Sequence, residues 1–510
     1  MPPALASSPR PPPRRPRAGS RWLEVVAPLA LALLAAGIGE LIRARIHPGL
    51  PIGNDMDLWS LGAEQLHRGY AGMVQPGYPA LASLLMFLPG VDHVDATSAL
   101  SAVGMALLPA ATWGLARRMG AGRWASAWAG LLVIATPRLL IRGQQITPDP
   151  LAALGLLGVA WAAARLDGKH RERDVALLVV ATAALFAARE HGLICAGVVA
   201  LLLMALPGSV DVRFLRVGGL LMGMLLLPAM LGNDYDFRAP PWWGRFEMVF
   251  RDFFASTPSW ASKAGAHGPS NSRLGLAMHA IGGAPWAWVW VGLGLAGAWI
   301  ARGRRVAWVA LVPVLPALVV FSQPRHVLVA VPVAGALIAA GSARLSGRLR
   351  AGALAVLTLL AAGGLCGDLP AAQMHLRDLV TEATELQRVG EDLCALSGGD
   401  GLAAGEMRDF TFCPMGWYDL GVPSGSALWK VFLMAERSPG DAWERVELPQ
   451  AHRGVFRLAS LTPERPCATS RVPDGISILP QGQDNPQLVP PCTAPLPAGA
   501  ERERRGPPPR

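Results

Sequence analysis

Charge is what this sequence is short of. Only 16% of its 510 residues are Asp, Glu, Lys or Arg, against roughly a quarter in soluble domains. An ordinary water-soluble fold is thereby excluded, and a hydrophobic content of 52% points to the bilayer. Lysine is nearly missing, with three among 46 basic residues. Arginine in its place, beside abundant alanine, is the usage of GC-rich coding, so a bacterial inner membrane is expected. Cysteine is scarce too: Cys195, Cys366, Cys394, Cys413, Cys467 and Cys492 include no CxxC and no histidine pairing, which leaves no zinc motif. The last four fall in the C-terminal tail. In an oxidising compartment they could form one or two disulfides, and unpaired thiols fit equally well. No internal repeat is evident. No small-residue cleavage site follows the first apolar run, so a signal anchor is expected rather than a cleaved signal peptide.

What the chain does have is long apolar runs. A span needs about 20 apolar residues, and candidates lie near 23–42, 96–116, 124–141, 149–165, 175–189, 191–207, 216–232, 280–300, 306–321, 326–341 and 351–366. Residues 79–90 are too short to cross and read as a re-entrant or interfacial helix. Only "REHG" separates 175–189 from 191–207, which makes a tight helical hairpin.

The net charge of +10 could suggest nucleic acid, but the basic residues sit in short clusters between spans. Arg117, Arg118 and Arg123 form one cluster; Arg165, Lys169, Arg171 and Arg173 form another. Arg213 with Arg216, Arg302 with Arg304 and Arg305, and Arg344 with Arg348 and Arg350 complete the set. If about eleven spans alternate, all of these and the Arg-rich N-terminus share one side, which the positive-inside rule makes cytoplasmic. Arg43 and Arg45 are the exceptions. The reading is an all-α polytopic membrane protein with a disordered cytoplasmic tail at 1–21 and a transmembrane domain at 22–366. A small extracytoplasmic domain follows at 367–500, with a helix expected at 371–395, and a disordered end at 501–510. The extracytoplasmic face also receives the first loop, 43–95, and an aromatic loop, 233–275.

Charges at membrane depth are costly and mark cavities or function. In this topology the unexplained polar residues collect on the extracytoplasmic face: Asp55, Asp57, Glu64, Arg142, Gln144, Gln145, Asp149, Arg189, Glu190, His191, Arg325 and His326. In "GNDMDLWSLGAEQLHRGY", Asn54 suits an N-cap, and Asp55 and Asp57 then complement the helix dipole. Trp59, Ala63, Leu66 and Tyr70 follow at helical spacing, suited to a membrane interface. In "TPDP", Asp149 could likewise start a helix ahead of Pro150. Capping alone would not sort the polar residues to one face.

Several stretches together resemble the GT-C glycosyltransferases, among them the protein mannosyltransferases and the aminoarabinose transferases, which use polyprenyl-phosphate sugars. The spacing Asp55, Trp59, Ala63, Leu66, Gly69 resembles the first extracytoplasmic loop of that family, with tryptophan where the family has tyrosine. "QPGYPALASLL" is similar to its "KPPL" segment, and "TPRLLIRGQQITPDPLAALGLL" to its third-span exit and the acid beyond. "AAREHGLICAGVVALLL" is similar to its later hairpin, and "PRHVLVAVPVAGALIAAG" to a late span. The matches run in order over roughly residues 20–366.

The resemblance implies a GT-C-like bundle and an inverting sugar transfer from a polyprenyl-phosphate donor to an extracytoplasmic lipid, glycan or protein. It implies Asp55 as general base, with Asp57 and Asp149 as further candidate catalytic acids. The donor phosphate would meet Arg142, Arg189, Arg325 and His326. Gln75 stands where the family has its phosphate-binding lysine and cannot supply that charge, whereas arginine binds phosphate bidentately. Trp242 and Trp243, in the aromatic loop, are candidates for an acceptor-binding lid or an interfacial belt. No cofactor is required; a divalent metal is compatible, and no ligand set for one is read. The implied partners are the donor, membrane lipids and an unnamed acceptor, with no nucleic acid. The other readings are a multi-span transporter, which would more often show repeats and polar interruptions within spans, or a non-enzymatic envelope assembly factor.

Overall fold

Proline and glycine punctuate the apolar runs, and the helices begin and end at them. In the computed structural model, the structure describes residues 19–45, 56–67, 75–166, 172–189, 191–232, 283–301, 308–311 and 324–396, positions 69 and 306, and five short strands between 402 and 458. Helix α1 is Gly19–Arg45, α2 is Met56–His67, α3 is Gly77–Leu85, α4 is His93–Arg118, α5 is Arg123–Ile134 and α6 is Pro137–Arg142. Next come α7 (Asp149–Ala163), α8 (Glu172–Ala188), α9 (His191–Ala205) and α10 (Val210–Leu231). The series ends with α11 (Pro285–Ala301), α12 (Pro324–Leu328), α13 (Val331–Ser342) and α14 (Gly347–Leu396).

The bundle is all-helical and that of a multi-pass membrane protein. Among the described residues four helices are individually long and apolar enough to cross a bilayer: α1 over Glu24–Ala44, α4, α10, and α14 over Gly347–Arg377. Helices α7, α9, α11 and α13 are apolar but shorter. Two of the eleven expected spans are broken rather than continuous. The run 124–141 divides into α5 and α6 because Pro137 takes the first turn of a new helix, a position that needs no N–H. The run 326–341 divides into α12 and α13, with Pro332 again in the first turn. The short segment near 79–90 is helix α3, packed against α2, α4 and α8. Large apolar side chains stand exposed on α1 (Leu29, Leu33, Leu41), α10 (Leu215, Leu221) and α14 (Val356, Leu359). In a bilayer these meet lipid.

The core is built by α4, α5, α7, α8, α9 and α13, whose buried residues are mainly Ala, Leu and Val. Small residues set the spacing. A Cβ on Gly297 of α11 would lie 2.6 Å from the Leu337 carbonyl of α13, so these two helices touch through their backbones. Charged pairs tie helix ends together at the pole where the basic clusters fall. Glu24 of α1 receives Arg117 Nη2 at 2.9 Å and Arg123 Nε at 3.0 Å. Arg165 donates to Asp174 at 2.7 Å, joining α7 to α8, and Arg216 pairs with Glu172, joining α10 to α8.

Helix α14 does not stop at residue 366 but continues unbroken to Leu396. The helix expected separately at 371–395 is thus the far half of the last membrane helix. Trp286 of α11 lies along Gly363, Gly364 and Gly367, so α14 passes close to it. Beyond the helix, β1 (Leu402–Gly405), β2 (Asp409–Thr411), β3 (Trp429–Phe432), β4 (Trp443–Val446) and β5 (Gly454–Leu458) form a sheet of order β2-β1-β3-β5-β4. Its pairs are antiparallel except β1 with β3. Sequences such as "WKVF" and "GVFRL" favour strands through their aromatic and β-branched residues.

Candidate active site

At the pole opposite the Glu24 and Glu172 ion pairs, polar side chains from five helices and the turn before α7 converge on one carboxylate. Asp149 opens α7 and is 1% exposed. Its Oδ1 lies 3.2 Å from Nη2 of Arg189, itself 3% exposed, which ends the α8 side of the "REHG" joint. Its Oδ2 lies 4.0 Å from Nε of Arg142, the last residue of α6. Arg325 of α12 and His191 of α9 are also near enough to act on Asp149 electrostatically. The rings of His191 and His326 lie with centroids 4.9 Å apart. Ion pairs in so buried a place cost desolvation energy, which only good geometry and additional hydrogen bonds offset. Three guanidiniums about one carboxylate leave an excess of positive charge at this place in the fold.

The surrounding elements fix these groups by direct contacts. Arg142 Nη1 donates to Gln145 Oε1 at 2.8 Å, and Gln145 Nε2 reaches His375 Nε2 of α14 at 3.4 Å. The Arg189 guanidinium carbon lies 5.6 Å from the centre of the Trp59 ring, and Trp59 meets Tyr78 edge-on at 5.8 Å. Tryptophan offers the strongest ring face for a cation, which gives a physical reason for its place in the first-loop pattern. Tyr78 Oη donates to the Thr97 carbonyl at 2.7 Å and lies 2.8 Å from Ser101 Oγ. Ser101 in turn donates to the Thr147 carbonyl at 3.0 Å, two residues before Asp149. Burial pushes the Tyr78 phenol well above its ordinary pKa, so it acts as a neutral donor.

Helix α3 is held in place by glycine. A Cβ on Gly77 would lie 2.9 Å from Ala187 C and Ala188 N, so the "QPGY" turn presses directly on the backbone leading to Arg189. Gly192, next to His191, is similarly packed against Phe186. The tight hairpin and the "QPGY" segment therefore form one wall.

Of the residues singled out from sequence, Arg142, Gln145, Asp149, Arg189, His191, Arg325 and His326 come together here. Gln75 is buried two residues from Gly77, on the same wall. Glu64 lies apart, 3.6 Å from His93. Gln144 is bonded to Arg43 Nε at 3.3 Å, so Arg43, out of place by the charge rule, serves this same pole. Asp57 falls in the first turn of α2, one residue after its start, and its side chain lies outside the described ones. Asp55, Glu190, Trp242 and Trp243 lie outside the described residues. Sequence reading missed Tyr78, Ser101 and His375. Tyr78 had a signal as one of only four tyrosines in the chain; His375 had none, because its helix looked like the start of a soluble domain. Among the described residues no group of three or more His, Cys, Asp or Glu side chains could hold a metal ion. The arginines around Asp149 would repel one.

Fold and site together define a membrane protein with an all-helical bundle and a buried, arginine-rich cluster at one pole. No protein-family model and no curated protein matches the chain. Among solved structures it is similar to ArnT from Cupriavidus metallidurans in the apo state, at 17% identity and TM-score 0.41. It is also similar to the same protein bound to undecaprenyl phosphate, at 17% identity and TM-score 0.42. Each alignment covers 75% of this chain and 72% of the other.

Proposed function

We propose that this protein is an integral membrane glycosyltransferase that moves a sugar from a polyprenyl-phosphate donor to an extracytoplasmic acceptor. The observation that carries this reading is the convergence of Arg142, Arg189 and Arg325 on the single carboxylate of Asp149. The five ordered sequence motifs resembling GT-C enzymes support it, because each of them supplies a group to this cluster or its wall.

The chemistry explains why arginine is suited to the task. The donor is a phosphodiester with one negative charge, and the departing polyprenyl phosphate carries up to two. Asp55 takes the proton of the acceptor hydroxyl as its oxygen attacks the anomeric carbon. The bond from that carbon to the phosphate oxygen breaks on the opposite face, so the configuration inverts. Charge grows on the phosphate as the bond breaks. Guanidiniums held there bind the transition state better than the ground state, which is the condition for catalysis. Asp149 holds Arg189 and Arg142 in place rather than reacting, and His326 adds a hydrogen-bonding group beside Arg325. In sequence Asp55 immediately precedes Met56, the first residue of α2, and Trp59 of that helix stacks on Arg189; this supports a base adjoining the phosphate site. Transport across the bundle is disfavoured by a core of Ala, Leu and Val between its poles.

The test compares envelope lipids and glycans by mass spectrometry in cells with the wild-type gene, without it, and with Asp55→Asn. A species lacking one sugar unit should accumulate both without the gene and in the variant, while the variant protein remains inserted in membranes at normal abundance. An envelope identical in all three strains would remove the enzymatic reading. Normal glycosylation in Asp55→Asn alone would remove Asp55 as the base.

A further inference from the structure

Gln75 stands where a lysine would serve the phosphate, and its surroundings ask for something else. The residue is fully buried, 0% exposed. Neither Nε2 nor Oε1 of its amide has a hydrogen-bond partner among the described residues. Leaving both a donor and an acceptor unsatisfied in a protein interior is costly, and native folds avoid it outside functional sites. A second orphan is the indole Nε1 of Trp59, buried and unpartnered among the described residues, on a ring that meets Tyr78 of the same "QPGY" segment edge-on at 5.8 Å. Both belong to segments that pack around Arg189. Trp59 stacks against Arg189, and Gln75 leads into Gly77, which touches Ala187 and Ala188 just before Arg189.

The chemistry of an amide separates the candidate ligands. A phosphate oxygen only accepts, so it could satisfy Gln75 Nε2 while leaving Oε1 facing an anion. A hydroxyl both donates and accepts, and two neighbouring hydroxyls of a sugar present the paired pattern that an amide matches. The indole N–H adds one donor, which a further hydroxyl oxygen can accept. Taking the donor to be a polyprenyl-phosphate sugar, as above, we propose that Gln75 and Trp59 Nε1 form a subsite that reads hydroxyl groups of the transferred sugar. Phosphate recognition is left to the arginines. The sugar accepted is then one bearing free, uncharged hydroxyls next to the anomeric phosphate, and the exchange of lysine for glutamine is a change of task.

Binding measured in lipid nanodiscs tests the subsite. The probes are polyprenyl phosphate alone and polyprenyl phosphates carrying glucose, galactose, mannose, arabinose or N-acetylglucosamine. Wild type should prefer at least one glycosylated form over the bare phosphate. Gln75→Leu should weaken that preferred form roughly tenfold, the worth of a neutral hydrogen-bonding pair, and leave the bare phosphate unchanged. Trp59→Phe keeps the ring over Arg189 and deletes only the N–H, so it should show a smaller loss with the same selectivity. It also serves if Gln75→Leu does not yield monodisperse protein. Equal losses for bare and glycosylated forms would make Gln75 a phosphate ligand and overturn the subsite. So would unchanged binding of every probe, or a wild type that prefers no sugar. A wild type that binds no polyprenyl phosphate at all would overturn the donor class itself, and this assignment with it.

Discussion

Asp149 illustrates how one residue can satisfy a local rule and a distant one together. Locally, an aspartate ahead of Pro150 is a good helix start, and α7 does begin there. At longer range the same carboxylate is the counter-charge for Arg189 and Arg142. The two roles make different predictions about its loss. An exposed first-turn acid contributes about 0.3–1 kcal/mol, whereas removing one partner of a buried ion pair costs about 3–5 kcal/mol. Asp149→Ala should therefore lower the thermal stability of the detergent-purified protein by the larger amount, and Asp149→Asn, which keeps an acceptor for Arg189, by less. An alanine variant that melts within a degree of wild type would reduce Asp149 to a cap. Much of this is legible in the sequence, because a charged residue among apolar spans is costly unless it is paired or serves function. What sequence does not reveal is the wiring. That Arg43 bonds Gln144, and that Ser101 ties Tyr78 to the turn before Asp149, depends on which helices become neighbours. Spacing along one chain carries no such information.

Among the elements, α14 departs most from what its sequence suggests. Its first half reads as a span and its second half as a polar amphipathic helix, which suggests a boundary near residue 366. The structure carries the helix straight through, with Pro370 inside it and Ala372 packed on Ile141 of α6. Neighbouring contacts in a bundle tolerate a proline that would end a helix in water. The continuation brings His375 to Gln145, and Gln145 accepts the hydrogen bond of Arg142. The helix leading to the C-terminal sheet is thereby connected to Arg142 through two side chains. His375→Ala should leave insertion and abundance unchanged while raising the KM for the lipid donor by roughly threefold to tenfold, since a single neutral hydrogen bond is worth about 0.5–1.5 kcal/mol. His375→Gln, able to meet Gln145 again, should recover most of that. Steady-state kinetics on the two variants decides it; equal KM values for wild type and His375→Ala would confine α14 to a structural role. The breaks at Pro137 and Pro332, by contrast, were readable in principle. A proline in the first turn of a helix is a start signal even inside an apolar run, and the hydropathy of the flanking residues concealed it.

Across the whole molecule the two poles differ in how they use charge, and that difference was the most legible feature of all. At one pole arginines pair with acids of the neighbouring helix: Arg117 and Arg123 with Glu24, Arg165 with Asp174, Arg216 with Glu172. Each pair closes a helix-to-helix joint near the surface, where it is partly solvated and worth about 1 kcal/mol or less. At the other pole several arginines share one deeply buried acid, an arrangement that stability alone does not favour. Helices that alternate in direction sort these two kinds of site without further instruction, since each joint falls at one end or the other. By the positive-inside rule we propose an orientation with the paired arginines in the cytoplasm and the Asp149 cluster facing out. Accessibility labelling in intact cells checks that orientation. Gln373→Cys lies on α14 two residues before His375 and is exposed, and should react with a membrane-impermeant maleimide added outside. Arg118→Cys, at the opposite end of α4, should react only after permeabilisation. Background is removed by replacing the exposed Cys366 and the tail residues Cys394, Cys413, Cys467 and Cys492 with serine in the parent protein. Reversed labelling would place the arginine pocket in the cytoplasm, where a base at Asp55 could not reach an extracytoplasmic acceptor. The charge bias of the joints would then have failed to set the topology.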